Sequence, residues 1–234
     1  MATEPSTAPV APAPRAPASS RGRRRLIAGF EVALAVAVVV AVRTLPSLVL
    51  LVLMAASLWL HREGLASLGM HRVPRAGRMV LQVLALTAAW TVLTIAVTMP
   101  LLEHLTGERQ DVSQFVELKG DLVATLVLIV LSWTLAAIGE ELAFRGFVQT
   151  RMRELLPTGT AGLVFAVLAS SVLFGFIHTE QGAVGVALSA IDAVYFSVLR
   201  YRYRTLWAAV LAHGFGNTIG LTTYFLVGPV SGLW

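Results

Sequence analysis

Long apolar runs separated by short polar stretches set the pattern of this chain. Seven stretches are mostly apolar, at about 26–42, 44–60, 79–102, 122–144, 160–178, 183–199 and 205–227. A bilayer crossing needs about 20 such residues. The pattern predicts an all-α fold, a polytopic membrane helix bundle of about seven transmembrane helices, or eight if a re-entrant element is counted. Pro46 falls in the first turn of the second run, where its missing N–H is tolerated. The sixth run is the weakest, because Ser189, Asp192 and Ser197 interrupt it. No internal repeat is evident.

The ends and loops divide the chain. Residues 1–25 read as a disordered Ala/Pro-rich tail ending in the basic cluster RGRRR at 21–25. No small-residue cleavage site follows the cluster, which argues against a removable signal peptide. Residues 26–110 hold the N-terminal spans, and 111–234 hold the spans that carry the polar motifs below. With the N-terminus cytoplasmic, fifteen of the eighteen Lys and Arg residues fall inside, and only Arg43, Arg109 and Lys119 fall outside. That asymmetry obeys the positive-inside rule and puts the C-terminus outside. The loop 61–78, with its arginines, is expected on the cytoplasmic interface beside anionic headgroups.

Composition agrees. The chain is 56% hydrophobic and 13% charged, with a mean hydropathy of +0.76, whereas soluble domains carry about 25% charged residues. There are no cysteines, which excludes disulfides, a thiolate nucleophile and Cys-ligated zinc. The net charge of +5 fits cytoplasmic arginines, and no nucleic-acid-binding motif accompanies it. The expected partners are the lipid bilayer and an unidentified peptide or protein substrate, with no nucleic acid.

Ionisable groups inside a span are costly, and their default reading is functional. GEELAFRG, 139–146, closes the fourth run. On an α-helix Glu141 and Arg145 stand at i and i+4 and can pair, while Glu140 points about 100° away. One carboxylate is then neutralised and the other is left to act as a base or acid. A helix-end salt bridge at the cytoplasmic surface is the plainer alternative. FGFIH, 174–178, ends the fifth run with His178, which an interfacial aromatic belt also explains. HGFGN, 213–217, sets His213 and Asn217 on one helix face with Gly214 and Gly216 leaving room for close approach. An interhelical hydrogen bond is the alternative there. Asp192 and Glu31 are further acids within runs: Asp192 pairs with a base or lines a cavity, and Glu31 reads likewise or as a helix-start or snorkelling residue. Gathered by a bundle, the C-terminal groups supply a base and hydrogen-bond donors for attack of water on a carbonyl.

EExxxR (Glu140–Arg145), FxxxH (Phe174–His178) and HxxxN (His213–Asn217), in this order on successive apolar helices, resemble the CAAX protease and bacteriocin-processing family of intramembrane endopeptidases, also called the Abi family. The resemblance to these type II CAAX prenyl protease-like proteins covers roughly residues 120–220. It implies an all-helical bundle with a conical cavity. Glu140 with His178 would activate water, His213 and Asn217 would bind the oxyanion, and Glu141 would pair with Arg145, with Phe174 orienting. The family is often described as metalloproteases, and zinc on Glu140, His178 and His213 is chemically reasonable. No HExxH is present, however, and a glutamate-activated water needs no metal. The segment before the last helix lacks the usual glycines and places Arg200, Arg202 and Arg204 on an expected loop.

Two other functions compete with the endopeptidase: a non-catalytic scaffold or bacteriocin self-immunity protein of the same fold, and an ion or proton transporter using the acids and histidines as a relay. The expected location is a bacterial plasma membrane, on the Ala/Arg-rich composition. Straight spans with these boundaries would put His178 near the outer face and Glu140 nearer the cytoplasm. The motifs can meet only if the boundaries shift.

Overall fold

The computed structural model describes residues 18–42 and 44–230, and these form helices and connecting turns. Seven rods follow one another: α1 Ala18–Ala41, α2 Pro46–His61, α3 Ala76–Thr106, α4 Leu122–Leu155, α5 Thr160–Phe176, α6 Gly182–Tyr203 and α7 Leu206–Val227. By length and composition Ala76–Thr106, Leu122–Leu155 and Thr179–Tyr203 suffice to cross a membrane, and α2 and α5 are shorter apolar helices. The all-helical expectation therefore holds for the described residues. The seven expected runs correspond to seven rods, of which these five have the clearest apolar character.

Local chemistry sets the helix ends. Pro46 stands in the first turn of α2, as its fixed φ favours. Asp121 caps α4 by accepting from the Ala124 N–H at 2.9 Å, and Thr205 caps α7 by accepting from the Trp207 N–H at 3.3 Å. Two rods contain π-helical segments. In α3 the segment Thr94–Thr98 ends two residues before Pro100, where widening accommodates a ring that would collide with an i−4 carbonyl. In α4 the segment Ser132–Val148 is π-helical, and the Gln149 N–H still reaches the Phe144 carbonyl five residues back.

Two boundaries differ from expectation. Residues 18–25 are helical and open α1, so the basic cluster extends a helix. The remainder of the expected tail, residues 1–17, lies outside the described residues. The fourth run ends at Leu155 rather than 144. At 34 residues the rod is about 50 Å long, well beyond a hydrocarbon core of about 30 Å. Glu140 consequently lies near its midpoint.

α4 is the central rod and packs against α1, α2, α5 and α7, while α3 leans on α7 and α5 pairs with α6. The polarity of the bundle is inverted. Val52, Leu81, Val130 and Phe165 are exposed, whereas Glu141, Arg145, Gln149, Arg151, Ser170, Ser197 and His213 are buried. Lipid is as apolar as any core, so the interior is where polar groups find partners. An integral membrane protein follows from this surface and these helices.

A second charged cluster ties the N-terminal rods to α4. Arg151, 1% exposed, reaches Glu31 at 3.1 Å, Glu63 at 3.0 Å and Glu154 at 2.7 Å, and donates to Ser57. Arg24 binds Glu63 and Glu154 from outside, and His61 meets Glu31 at 3.2 Å. Glu31 thus serves as an interhelical partner. Replacing Arg151 with Leu would remove the one cation that touches all three carboxylates, leaving Arg24 and His61 as their remaining partners, at a cost of about 3 kcal/mol. Equilibrium unfolding in detergent should show that loss, and an unchanged midpoint would contradict this account of the cluster.

Candidate active site

The π-helical stretch of α4 brings GEELAFRG into the bundle interior. Glu141 is fully buried and Arg145 is 1% exposed. Their contact is the expected i,i+4 pair, with Nη1 3.0 Å from Oε1. Aromatic faces complete the surroundings of Arg145, with the Phe174 ring centroid 4.1 Å and the Phe196 centroid 5.4 Å from the guanidinium carbon. From α6, Arg200 donates to the Arg145 carbonyl, to Oε1 of Gln149 at 2.9 Å and to the Leu68 carbonyl at 3.3 Å. Arg200 and Arg202 lie within α6 and not on a loop. Partly buried Arg200 is a brace between α4, α6 and the turn Leu65–Leu68. That turn docks at Gly69, whose carbonyl accepts from Leu206 N and Thr205 Oγ1. Gly69 has φ 94°, and an added Cβ would stand 3.3 Å from Leu206 N, so this turn needs glycine.

His213, on α7, joins both glutamates. Its Nδ1 lies 3.0 Å from Oε1 of Glu141, and its Nε2 lies 4.0 Å from Oε2 of Glu140. An α-helical step of about 100° would have turned Glu140 further from its neighbour. The wider π turn makes each step smaller, and both carboxylates face the same histidine. Oε2 of Glu140 is buried and accepts no hydrogen bond among the described residues. The His213 ring stacks on Phe196 at 5.0 Å and meets the edge of Phe174 at 5.9 Å.

Phe174 is the hub of the FGFIH motif. It also packs edge-on to Phe144 at 5.2 Å and tilts against His178 at 4.8 Å. His178 Nδ1 is 3.0 Å from the Phe174 carbonyl. A carbonyl only accepts, so Nδ1 carries the proton and Nε2 keeps its lone pair.

These groups line one cavity of about 710 Å3, which contains Glu140, Phe174, His178, Asp192, His213 and Asn217 among its walls. All four expected catalytic positions therefore share one space, and the depth conflict disappears because Glu140 sits mid-rod. Of the two HGFGN glycines, Gly214 is a tight contact: an added Cβ would stand 2.5 Å from the Trp133 ring. Gly216 lines the cavity with ordinary room, its nearest neighbour being Thr87 at 3.8 Å. Among the described residues no group of three His, Asp or Glu is arranged to hold a metal, so the zinc set on Glu140, His178 and His213 is not supported.

Sequence reasoning missed several walls. Trp90 donates to Oδ1 of Asp192 at 2.7 Å and stacks on Tyr195 at 4.5 Å. Behind the lining, Trp133 donates to Thr218 at 3.0 Å. The loop between α3 and α4 contributes Gln110, Val112 and Phe115 to the mouth, latched where the Asp111 N–H meets the Gln181 carbonyl at 3.0 Å. A tryptophan in one apolar run and an acid in another were the available signals for the Trp90–Asp192 pair.

A membrane-embedded, all-helical protein with a Glu-Glu-His-Arg centre opening into a cavity is the class that the fold and site define. Residues 122–219 match the family model described as Rce1-like, type II CAAX prenyl endopeptidase. This segment, which contains all three motifs, is similar to that family of membrane endopeptidases. No curated protein and no solved structure matches the chain.

Gly214→Ala would press a methyl group into Trp133 and shift His213 beside it. We expect a loss of about 1–3 kcal/mol together with a changed environment for the Trp133 indole, read by fluorescence. Gly216→Ala should leave both nearly unchanged.

Proposed function

We propose that the chain is an intramembrane endopeptidase that hydrolyses a peptide bond of a membrane-associated peptide or protein with water activated by Glu140. The observation that carries this reading is Oε2 of Glu140: buried, without a donor, and 4.0 Å from His213 Nε2 at the wall of the cavity. One water can bridge such a separation.

In this mechanism the water donates one hydrogen to Glu140 and the other to the lone pair on His178 Nε2. Glu140 takes the proton as the water oxygen bonds to the scissile carbonyl carbon. The developing oxyanion is met by the Asn217 amide and by His213. Because His213 gives Nδ1–H to Glu141, the hydrogen it offers an oxyanion sits on Nε2, which makes it an imidazolium facing two glutamates. When the C–N bond breaks, Glu140 returns its proton to the leaving amine. Glu141, Arg145 and Phe174 position these groups. No step requires a metal.

The substrate approaches from the end of the bundle opposite the basic residues. The mouth carries Leu45, Phe115, Glu180 and Pro229, while the arginines of the 61–78 loop lie at the far end. With the basic ends in the cytoplasm of a bacterial plasma membrane, the N-terminus is cytoplasmic, the C-terminus is outside and the mouth faces outward.

The test is cleavage of a quenched peptide library by protein in lipid nanodiscs. Glu140→Gln should lower the rate about 100-fold or more with helicity unchanged, and a chelator should not affect the wild type. Equal cleavage by wild type and Glu140→Gln would sink the mechanism. Absence of cleavage by the wild type, with an unaltered phenotype for Glu140→Gln in cells, would favour the scaffold alternative.

A further inference from the structure

We infer that Asp192 is a specificity residue that selects a basic side chain in the substrate, within about two residues of the cleaved bond. This inference rests on the endopeptidase reading above.

Three carboxylates line the cavity, Glu140, Glu180 and Asp192, and none of the lining residues is Lys or Arg. Lys119, exposed at the rim, folds over Gly228 and does not join the wall. Arg145 is spent on Glu141 and the Phe174 face. Asp192 has no ion-pair partner among the described residues. Trp90 holds Oδ1 at 2.7 Å, and Oδ2 has no donor there. The indole that fixes it is itself clamped by stacking on Tyr195, whose hydroxyl lies 3.2 Å from Thr87 Oγ1. A carboxylate held this rigidly in an apolar-walled cavity is desolvated at a cost that a cationic ligand offsets. The other titratable groups there are Tyr224 and two histidines, both engaged: His213 with Glu141, His178 with a backbone carbonyl.

The register gives the distance. Asp192 precedes Phe196 by one turn of α6, about 6 Å toward the mouth. Phe196 stacks on His213, so Asp192 stands one turn above the level of Glu140 and His213. An extended peptide advances about 3.3–3.6 Å per residue, and two residues cover that gap. Apart from His213, which faces the oxyanion, the wall has no cation to receive a free C-terminal carboxylate of the kind a CAAX end presents. An internal, basic segment suits it better.

The experiment starts from a peptide that the wild type cleaves and places Lys, Gln or Glu within two residues of the bond, on either side. Nanodiscs of phosphatidylcholine avoid attraction to anionic lipid. We expect cleavage of the best Lys peptide to exceed its Gln analogue about tenfold or more, with Glu slowest. Asp192→Asn keeps an acceptor for Trp90 and should bring the Lys and Gln rates to within about twofold of each other. A purely structural role for Asp192 would slow all three peptides equally and overturn the inference, as would a Lys preference that survives in Asp192→Asn. Should the variant not fold, the wild-type ratio decides: equal rates for Lys, Gln and Glu overturn the proposal. Should no peptide be cleaved, the endopeptidase reading fails by itself. Fluorescence anisotropy of the same peptides then decides the charge preference, which stands if Lys binds about tenfold tighter than Gln and falls if they bind alike.

Discussion

A guanidinium without water is the constraint on which the centre depends. Arg145 lies near the middle of the longest rod, sealed from solvent and lipid. An uncompensated charge there would cost several kcal/mol. Glu141 supplies the counter-charge, Phe174 and Phe196 supply π faces, and α5, α6 and α7 must come close to deliver them. His213 then completes the second side of Glu141. The cavity groups are located by this need: satisfying one cation fixes the rings on either side of it, and those rings carry His178 and His213 with them.

The same logic extends along α4 toward its basic end. Gln149 donates to Ser170 on α5 and Ser197 on α6, both at 3.0 Å, and accepts from Arg200. Arg151 closes the next turn against α1 and α2. Polar side chains thus spiral down one rod and hold every neighbour, while the outer faces remain apolar. In lipid no hydrophobic drive pulls helices together, and packing with interhelical hydrogen bonds must serve instead. The small residues fit that scheme: an added Cβ at Gly175 would stand 2.6 Å from the Val186 carbonyl, so α5 and α6 meet at backbone distance.

The sequence revealed the rods and the motif order, because hydropathy and i,i+4 spacing are local properties. Glu141 with Arg145 was legible for that reason. Boundaries were not, since Arg145, Arg151 and Arg153 look like a cytoplasmic edge until tertiary partners for two of them are known. Arg200 looked like a loop residue on the same ground. Asp192 was seen as an intramembrane acid, but its donor Trp90 lies 102 positions away, and no spacing rule connects them. The angular relation of Glu140 and Glu141 was misjudged because it assumed 3.6 residues per turn. The π-helical winding has no signature that hydropathy can carry.

That winding makes segment length part of the chemistry. Between Ser132 and Val148 each backbone ring holds one residue more than an α-helical ring. Deleting a single residue anywhere in this stretch could relax it toward α-helix without touching Glu140, Glu141 or Arg145. Every side chain beyond the deletion would rotate relative to α7, and the shared approach of both carboxylates to one imidazole would be lost. Two chains with identical motif letters but a different spacer could therefore have different active centres. For this architecture, a gap in a sequence comparison between 132 and 148 carries as much functional meaning as a substituted glutamate.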